Sequence, residues 1–263
     1  MRNLLDKKID TTTKKAWNEN WQTSEINEIL EIFNYPRVQK QVALYLKYLP
    51  KNKPILEGGC GLGPYLLYFR KMGYTLLGAD YNFDPLAKIS AYQQNTPLLQ
   101  ADILNLPLAS NSLGAYLSLG VIEHFTQGPR QAIKEALRVL APKGYFLLQV
   151  PNSSIFQKIK FPLTFLKKNP LVRKMLGKPP KNYYWEQYFK VKELKKELEL
   201  NGFKIIEIAP VDHEHALMDF CPGFFKNNKS FDAANKIGSR LGNILEKIAP
   251  WATAGENIFI CQK

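Results

Sequence analysis

Short apolar runs alternate with amphipathic segments along most of the chain. The runs that read as buried strands begin at Ile55, Tyr74, Leu98, Leu113 and Tyr145. Between them, apolar residues recur every three or four positions, as in 132–140, which is typical of a helix that packs on one side. Alternating strands and helices predict a parallel sheet with helices on both faces.

Further signals set the boundaries of this fold. Ala141–Gly144, with the sequence APKG, is predicted to stop one helix before the strand 145–150, and another helix is expected to begin near Pro85. A last strand is predicted at Asn257–Gln262. The pattern indicates a doubly wound, mostly parallel, seven-stranded α/β sheet of Rossmann-like type. We predict an N-terminal helical cap over 1–50 and one domain over 51–263, with an insertion at 151–190.

The turn after the first strand is almost devoid of side chains. Gly59, Gly61 and Gly63 alternate with other residues before Pro64, where a helix is predicted to begin. Glycine reaches positive φ without penalty and has no Cβ, so a ligand can approach the backbone closely. The free N–H groups of the helix would point at the same place. A tight turn that binds nothing is the alternative.

The glycine spacing favours one ligand class over another. Dinucleotide sites have the spacing G-x-G-x-x-G, whereas this turn has G-x-G-x-G with Glu57 two positions before its first glycine. A carboxylate repels a pyrophosphate but attracts an ammonium group, such as that of S-adenosylmethionine. The predicted cofactor contacts in this turn are Glu57, Gly58, Gly59, Cys60, Gly61 and Gly63. Small size explains Cys60 better than a nucleophilic role.

Two later strands also end on carboxylates. Asp80 closes the second strand about 20 residues after the turn, where a ribose diol would be bound. It could instead cap the next helix. Asp102 closes the third strand and would accept a hydrogen bond from an adenine amino group, with Ile103 against the ring. Tyr81 and Leu119 complete the predicted cofactor contacts.

Taken together, these motifs resemble the class I S-adenosylmethionine-dependent methyltransferases, in the branch that acts mostly on small molecules, lipids and glycans. The resemblance runs in order from Lys53 to Ile208 through ILEGGCGLG, LLGAD, QADILNLP, LSLGVIEHF, EALRVLAPKGYFLLQVP and FKVKELKKELELNGF. It implies that Glu57 and Gly59 hold the methionine portion, Asp80 the ribose, and Asp102 and Ile103 the adenine. It also implies an antiparallel last strand. Glu57 stands where the family more often has Asp.

Three histidines are candidates for proton transfer. His124 follows the fourth strand, near where the methyl group should point, and would act as base on a hydroxyl acceptor. A structural bond to the turn backbone is the alternative. If 212–215 is extended, His213 and His215 share one face and could act as bases or bind metal. We predict no metal site, because a third well-spaced ligand is lacking.

The N-terminal segment contributes further candidates. Trp17 and Trp21 are one helical turn apart, and Arg37 follows Pro36. Because N-terminal helices in the resembled family often close over the cofactor, Trp21 and Arg37 are predicted to cap it. Packing of an amphipathic helix on the domain is the simpler explanation of the two tryptophans.

Charge is concentrated in the insertion. The formal net charge is +13, and 151–185 contains eight Lys and Arg residues but no Asp or Glu. The resemblance implies that this segment covers the acceptor pocket, with Tyr183, Tyr184 and Trp185 as a substrate lid. A basic, aromatic lid favours an acidic or phosphorylated acceptor. Peripheral contact with an anionic membrane, nucleic-acid binding and an ordinary solvated face are the alternatives.

Composition indicates the compartment. The three cysteines are scattered, which favours free thiols in the cytoplasm, and no run of about 18 apolar residues or signal peptide is found.

We expect a methyltransferase that uses S-adenosylmethionine on an acidic or lipid-associated small molecule or a glycan. An RNA methyltransferase and a non-catalytic cofactor-binding regulator are the alternatives. Leu119–Ile122 lacks the Asn/Asp-Pro-Pro-Tyr/Phe run typical of base-amine methylation, so transfer to a base amine is not expected, whereas transfer to a ribose or a base carbon stays open. Nucleic acid is thus an alternative partner but not the favoured one.

Overall fold

Seven strands form one sheet in the structure, a computed structural model that describes residues 2–160, 169–177, 186–227 and 230–263, with only the backbone at 2–10 and 170. The strands are β1 Ile55–Gly58, β2 Leu76–Asp80, β3 Leu98–Gln100, β4 Leu113–Leu119, β5 Leu140–Pro151, β6 Lys204–Val211 and β7 Glu256–Gln262. Their order is β3-β2-β1-β4-β5-β7-β6, with β7 antiparallel to β5 and β6 and the other pairs parallel. The predicted fold class is confirmed.

Helices cover both faces of the sheet. They are α1 Arg2–Thr23, α2 Ile26–Leu30, α3 Pro36–Leu46, α4 Pro64–Lys71, α5 Phe83–Tyr92, α6 Arg130–Val139, α7 at 155–160, α8 Pro170–Met175, α9 Val191–Leu200, α10 His213–Phe220, α11 Pro222–Phe225, α12 Lys236–Ile248 and α13 Pro250–Thr253. Ile122–His124 forms a 3₁₀ turn after β4. Among these described residues, no helix is both long enough and apolar enough to cross a membrane.

The core is divided by the sheet into two layers. Ile55 packs with α3 and α4, through residues such as Tyr45 and Phe69, whereas the adjacent Leu56 packs in the opposite layer with α6. Consecutive side chains of a strand point to opposite faces, so a fully apolar strand needs helices on both sides. The continuous apolar runs seen in the sequence therefore have this physical cause.

Several boundaries differ from those predicted. β2 begins at Leu76 rather than Tyr74, and β7 begins at Glu256 rather than Asn257. β5 begins at Leu140, so 141–144 lies inside the strand, where the pairing with β4 shifts register between Leu113 and Ala115. An irregular strand end accommodates Pro and Gly, which in sequence are typical of a loop. α5 begins at Phe83 rather than near Pro85.

Chain order reverses between β1 and β4 at the middle of the sheet. The connections that leave β1 and β4 turn away from each other there, which opens a crevice at the carboxyl ends of the strands. The glycine turn after Gly58, the carboxylate of Asp80 and the turn after Leu119 all lie at this edge.

Candidate functional site

A cavity of about 510 Å³ opens at the crevice, a size typical of small-molecule sites. Most of the candidate residues from the sequence line it: Trp21, Glu57, Gly59, Cys60, Asp80, Tyr81, Asp102, Ile103, Leu119 and His124. These residues come from five separate segments of the chain, which the sheet brings to one place.

Glu57 presents an unpaired carboxylate oxygen at the cavity. The side chain is 4% exposed and accepts a hydrogen bond from the Leu66 backbone N–H at the start of α4, while Oε2 has no partner among the described residues. Burial, together with a smaller effect of the nearby Asp80, raises the pKa of Glu57 to about 8, although the Leu66 hydrogen bond opposes the shift. A buried carboxyl that lacks a partner is stabilised by a bound cation, so this residue fits the ammonium of an amino-acid tail.

The glycine turn is packed closely against side chains from other segments. Gly59 has φ 71°, and a Cβ there would lie 2.6 Å from the Val121 side chain. A Cβ on Gly61 would lie 2.7 Å from the Trp21 ring. The Gly61 N–H donates to Asp80 Oδ2 at 2.8 Å. The backbone therefore forms a wall of the cavity that any larger side chain would disrupt.

Asp80 connects the glycine turn to the start of α5. Its Oδ1 accepts from the Asn82 N–H at 2.8 Å, and the side chain is buried yet lines the cavity. Burial raises its pKa, although three backbone N–H groups oppose that shift. Asn82, not Asp80, is the N-cap residue of α5. Asp80 thus orders the turn and keeps its oxygens at the cavity wall.

The far side of the cavity combines a carboxylate with an apolar surface. Asp102 Oδ1 accepts from the Leu104 N–H at 2.9 Å, and Ile103 is buried beside it. Tyr81 is exposed at the rim, where the Lys14 ammonium lies 3.9 Å from the centre of its ring. This arrangement suits a flat, nitrogen-rich ring such as adenine.

Helix α1 closes one side of the cavity. Trp17 and Trp21 stack with ring centroids 4.8 Å apart. The rings of Trp17 and His124 are nearly perpendicular, with their centroids 5.3 Å apart. Thr13 and Lys14 line the same wall. The two tryptophans therefore pack α1 on the domain and also line the cavity. From the sequence alone, these two roles are alternatives.

His124 lies beside a buried carboxyl. Its Nε2 is 3.9 Å from Glu123 Oε1, and Glu123 is 3% exposed with Oε2 unpartnered among the described residues. Burial raises the pKa of Glu123 to about 8. An imidazole at the cavity wall with a carboxyl behind it can accept a proton from an acceptor hydroxyl.

Four predicted cofactor residues, Gly58, Gly61, Gly63 and Arg37, do not line the cavity, and the ring of Trp21 covers Gly61. Gly58 faces Tyr116 across the sheet, and a Cβ on Gly63 would meet Ile89 and Leu66 in the core, so both glycines serve packing. Arg37 lies away from this cavity, where its guanidinium binds Asp212 at 2.8 Å and also Asp232. Local spacing did not indicate these distant partners.

The expected shared face of His213 and His215 is wrong. Residues 213–220 form α10, in which positions two apart point to different sides. His213 is buried with Nδ1 2.9 Å from Thr253 Oγ1, whereas His215 is half exposed and 3.5 Å from Asp232. Asp212, with φ 61°, lets the chain turn into a helix at this point. Within the described ranges, no group of three or more metal-ligating side chains occurs.

Tyr183, Tyr184 and Trp185, the predicted substrate lid, lie outside the described residues. In the described part of the insertion, Lys160 binds Asp219 of α10, and the ring of Phe156 packs near that of Phe220.

Sequence reasoning missed several cavity residues. They are Thr13, Lys14, Pro64, Tyr65, Asn82, Ala101, Leu104, Gly120, Val121, Phe125, Thr126, Gln127, Gly128 and Gln131. Five of them, Asn82, Ala101, Leu104, Gly120 and Val121, lie within four residues of a recognised strand end, so the position alone could have indicated these five.

The chain matches a known family in the region that builds this cavity. Residues 56–148 match the family Methyltransf_11, described as a methyltransferase domain. The chain thus carries a methyltransferase domain of this family at 56–148. Among the described residues Glu57 Oε2 has no partner, and this oxygen and the bare backbone at Gly59 fit the amino-acid tail of S-adenosylmethionine, the cofactor that the sequence motifs suggest.

Curated relatives match less than half of the chain. "Probable tRNA methyltransferase 9B" of Mus musculus is 36% identical over 121 residues, 44% of this chain and 25% of that protein. A "Probable S-adenosylmethionine-dependent methyltransferase" of Mycolicibacterium smegmatis is 30% identical over 105 residues, 40% of each chain. The methyltransferase domain thus spans about a quarter to two fifths of these relatives.

Solved structures share the fold over a larger part of the chain. The crystal structure of an S-adenosylmethionine-dependent methyltransferase of Thermotoga maritima superposes with a TM-score of 0.60 at 16% identity, covering 97% of this chain and 99% of that one. At this identity the likeness supports the fold.

Proposed function

We propose that the chain binds S-adenosylmethionine in the 510 Å³ cavity and transfers its methyl group to a nucleophile. The observation that carries the proposal is the buried Glu57 carboxyl with an unpaired oxygen, next to a turn without side chains. Glu57 would hold the ammonium group, Asp80 the ribose hydroxyls and Asp102 the adenine amine. The cofactor supplies a methyl group that a positively charged sulfur has already activated.

The protein's own contribution is mainly alignment and exclusion of water. Trp21 covers Gly61, and Trp17, which stacks on Trp21, lines the same cavity, so the two rings would keep solvent from that wall. His124, whose ring lines the cavity, would take the proton of a hydroxyl acceptor. For an acceptor that is already an anion, no base is required.

We further propose an acceptor that carries a carboxylate or phosphate, as a small molecule, a lipid or a glycan. The net charge of +13 and the eight basic residues at 151–185 support an anionic acceptor. The three cysteines of the protein are free thiols, which fits the reducing cytoplasm, where we propose that the protein acts.

RNA is the second candidate acceptor. The mouse relative is named as a tRNA methyltransferase, and a +13 chain would attract a polyanion. The turn at 119–122 has no Pro-Pro run, so transfer to a ribose hydroxyl or to a base carbon is favoured over transfer to a base amine.

Incubation of the protein with methyl-labelled S-adenosylmethionine and cell extract tests both the proposed methyl transfer and the proposed class of acceptor. Label in the lipid, glycan or small-molecule fraction supports the first acceptor class, whereas label that disappears on nuclease treatment replaces it with RNA. Cofactor binding with no labelled product would contradict catalysis and favour a regulatory role. Asp80→Asn should abolish the labelling, and Asp84→Asn, on the exposed surface of α5, is the matched control.

A further inference from the structure

Helix α12 is attached to the domain through its smallest residues. Gly238 and Gly242 are its buried positions. A Cβ on Gly238 would lie 2.8 Å from the Phe225 carbonyl oxygen, and one on Gly242 would lie 2.6 Å from the Glu214 side chain. The glycines therefore allow close packing of α12 on α10 and α11, while Ile237, Ile244 and Ile248 are not used for that contact.

Those apolar residues point outward. Ile237, Ile244 and Ile248 are 54%, 52% and 71% exposed, and Trp251 in the adjoining α13 is 52% exposed. The three isoleucines are seven and four residues apart, which places them on one side of the helix. An apolar stripe of this kind on a helix surface marks an interaction site more often than a single exposed side chain does.

A basic ridge runs beside the stripe. Lys236, Arg240 and Lys247 are exposed and recur at four and seven residues, so they share a side of α12 next to the isoleucines. The acidic residue of α12, Glu246, pairs with Lys40 of α3. An isoleucine stripe next to a basic ridge is the arrangement of helices that lie in the interface of an anionic bilayer.

We propose that the isoleucine stripe and basic ridge of α12, with Trp251, dock the protein on the surface of an anionic membrane. A second copy of the chain would bring another net +13, and like charges oppose that contact. RNA would contact the basic ridge, but the three isoleucines of the stripe offer no surface on which bases stack, and Trp251 alone would leave them uncovered. A lipid surface satisfies both the apolar and the charged part.

Sedimentation of the full-length protein with vesicles tests this proposal. Binding should be at least tenfold stronger to phosphatidylcholine vesicles that contain phosphatidylglycerol than to pure phosphatidylcholine vesicles, and added salt should weaken it. The double variant Ile244→Asp/Ile248→Asp should lower the partition coefficient at least tenfold, and each of Lys236→Gln, Arg240→Gln and Lys247→Gln about fivefold. Leu200→Asp, a matched change at an exposed position of α9, should leave it unchanged.

A second measurement reports on the depth of contact. Brominated lipids should quench tryptophan fluorescence in the wild type, and Trp251→Phe should remove most of that quenching. Thermal unfolding checks that each variant is folded. Equal binding to neutral and anionic vesicles, or an undiminished partition for the double isoleucine variant, would overturn the proposal. So would a dimer in light scattering that the double variant dissociates, because the stripe would then bind a second copy. These results do not depend on methyl transfer.

Discussion

At the scale of single residues, Glu57 carries the chemistry of the proposed site. Burial raises its pKa to about 8, and Oε2 has no hydrogen-bond partner in the part of the chain that the structure describes. In the free protein the carboxyl therefore holds a proton at neutral pH. Binding of an ammonium group would favour the ionised form, so ligand binding and proton release are linked.

Cofactor affinity should consequently depend on pH. Between about pH 6 and pH 8, the affinity for S-adenosylhomocysteine should rise, by at most about tenfold per unit, because less work is needed to ionise Glu57 as the pH approaches its pKa. Glu57→Gln should bind at least tenfold more weakly and lose most of this slope. Isothermal titration calorimetry in buffers of different ionisation enthalpy measures both the affinity and the released proton. A wild-type affinity that is flat over this range would contradict the assigned role of Glu57.

Stability should respond to pH in the opposite direction. Below about pH 4.5 Glu57 is protonated in both the folded and the unfolded chain, whereas between pH 4.5 and about 8 only the folded chain keeps the proton. Stability from this residue therefore falls as pH rises through that window. We expect Glu57→Gln to be more stable than the wild type at pH 8.5, with a free energy of unfolding about 1–3 kcal/mol higher. At pH 5 the two free energies of unfolding should be nearly equal. Urea denaturation at the two pH values measures this, and a variant less stable than the wild type at pH 8.5 would be the opposite result.

At the scale of elements, α1 is anchored to the domain at its C-terminal end. The Lys88 ammonium on α5 donates to the carbonyls of Trp21, Gln22 and Ser24 at 2.9, 3.1 and 3.0 Å. Carbonyls in the last turn of a helix lack partners within it, and a cation there also complements the helix dipole. One side chain thus fixes the position at which Trp21 covers Gly61.

Lys88→Met should loosen that anchor and leave the rest of α5 unchanged. We expect S-adenosylhomocysteine to dissociate about tenfold faster, since hydrogen bonds to a charged group contribute roughly 1.5–3 kcal/mol, and we expect α1 to be cleaved earlier by protease. Stopped-flow tryptophan fluorescence and limited proteolysis measure the two effects. Lys71→Met, at an exposed lysine of α4, is the control. Equal dissociation rates in the two variants would show that Lys88 does not hold α1 in place.

Elements also show where prediction from sequence succeeds. Glu57, Asp80 and Asp102 could be placed because each ends a strand, and the carboxyl ends of parallel strands meet at one edge. Arg37 could not, because its partner Asp212 is 175 residues away in the chain. For 212–215, the alternation of residue types gave no indication that Asp212 takes a left-handed conformation and begins a helix. In α12, periodicity reveals two faces, but only the close contacts of its glycines show which face packs inward.

At the scale of the whole molecule, Arg37 joins segments that are far apart in sequence. Its buried guanidinium connects α3 to Asp212, which precedes α10, and to Asp232. Burial alone would raise the pKa of Asp212, but the attraction of Arg37 outweighs it and lowers that pKa to about 2. Asp212 therefore contributes stability above its ordinary value of 3.8, and this contribution is lost as pH falls toward 2.

Arg37→Leu should destabilise the fold and spare the cofactor site. Because Asp212 would stay buried without its cation, the variant should lose about 3–5 kcal/mol of its free energy of unfolding at pH 7. The control Lys40→Met breaks the more exposed Lys40–Glu246 pair and should lose under about 1 kcal/mol.

At pH 5 the free energies of unfolding of Arg37→Leu and the wild type should lie closer together, because Asp212 without Arg37 would take up a proton. The double variant Arg37→Leu/Asp212→Asn should recover part of the lost stability. Urea denaturation measures these free energies, and calorimetry on the folded fraction should give an unchanged affinity for S-adenosylhomocysteine. Lost affinity in a folded Arg37→Leu would return Arg37 to the cofactor cap that its position after Pro36 first suggested, whereas retained affinity with lost stability establishes it as the residue that holds α3 to the α10 side of the domain.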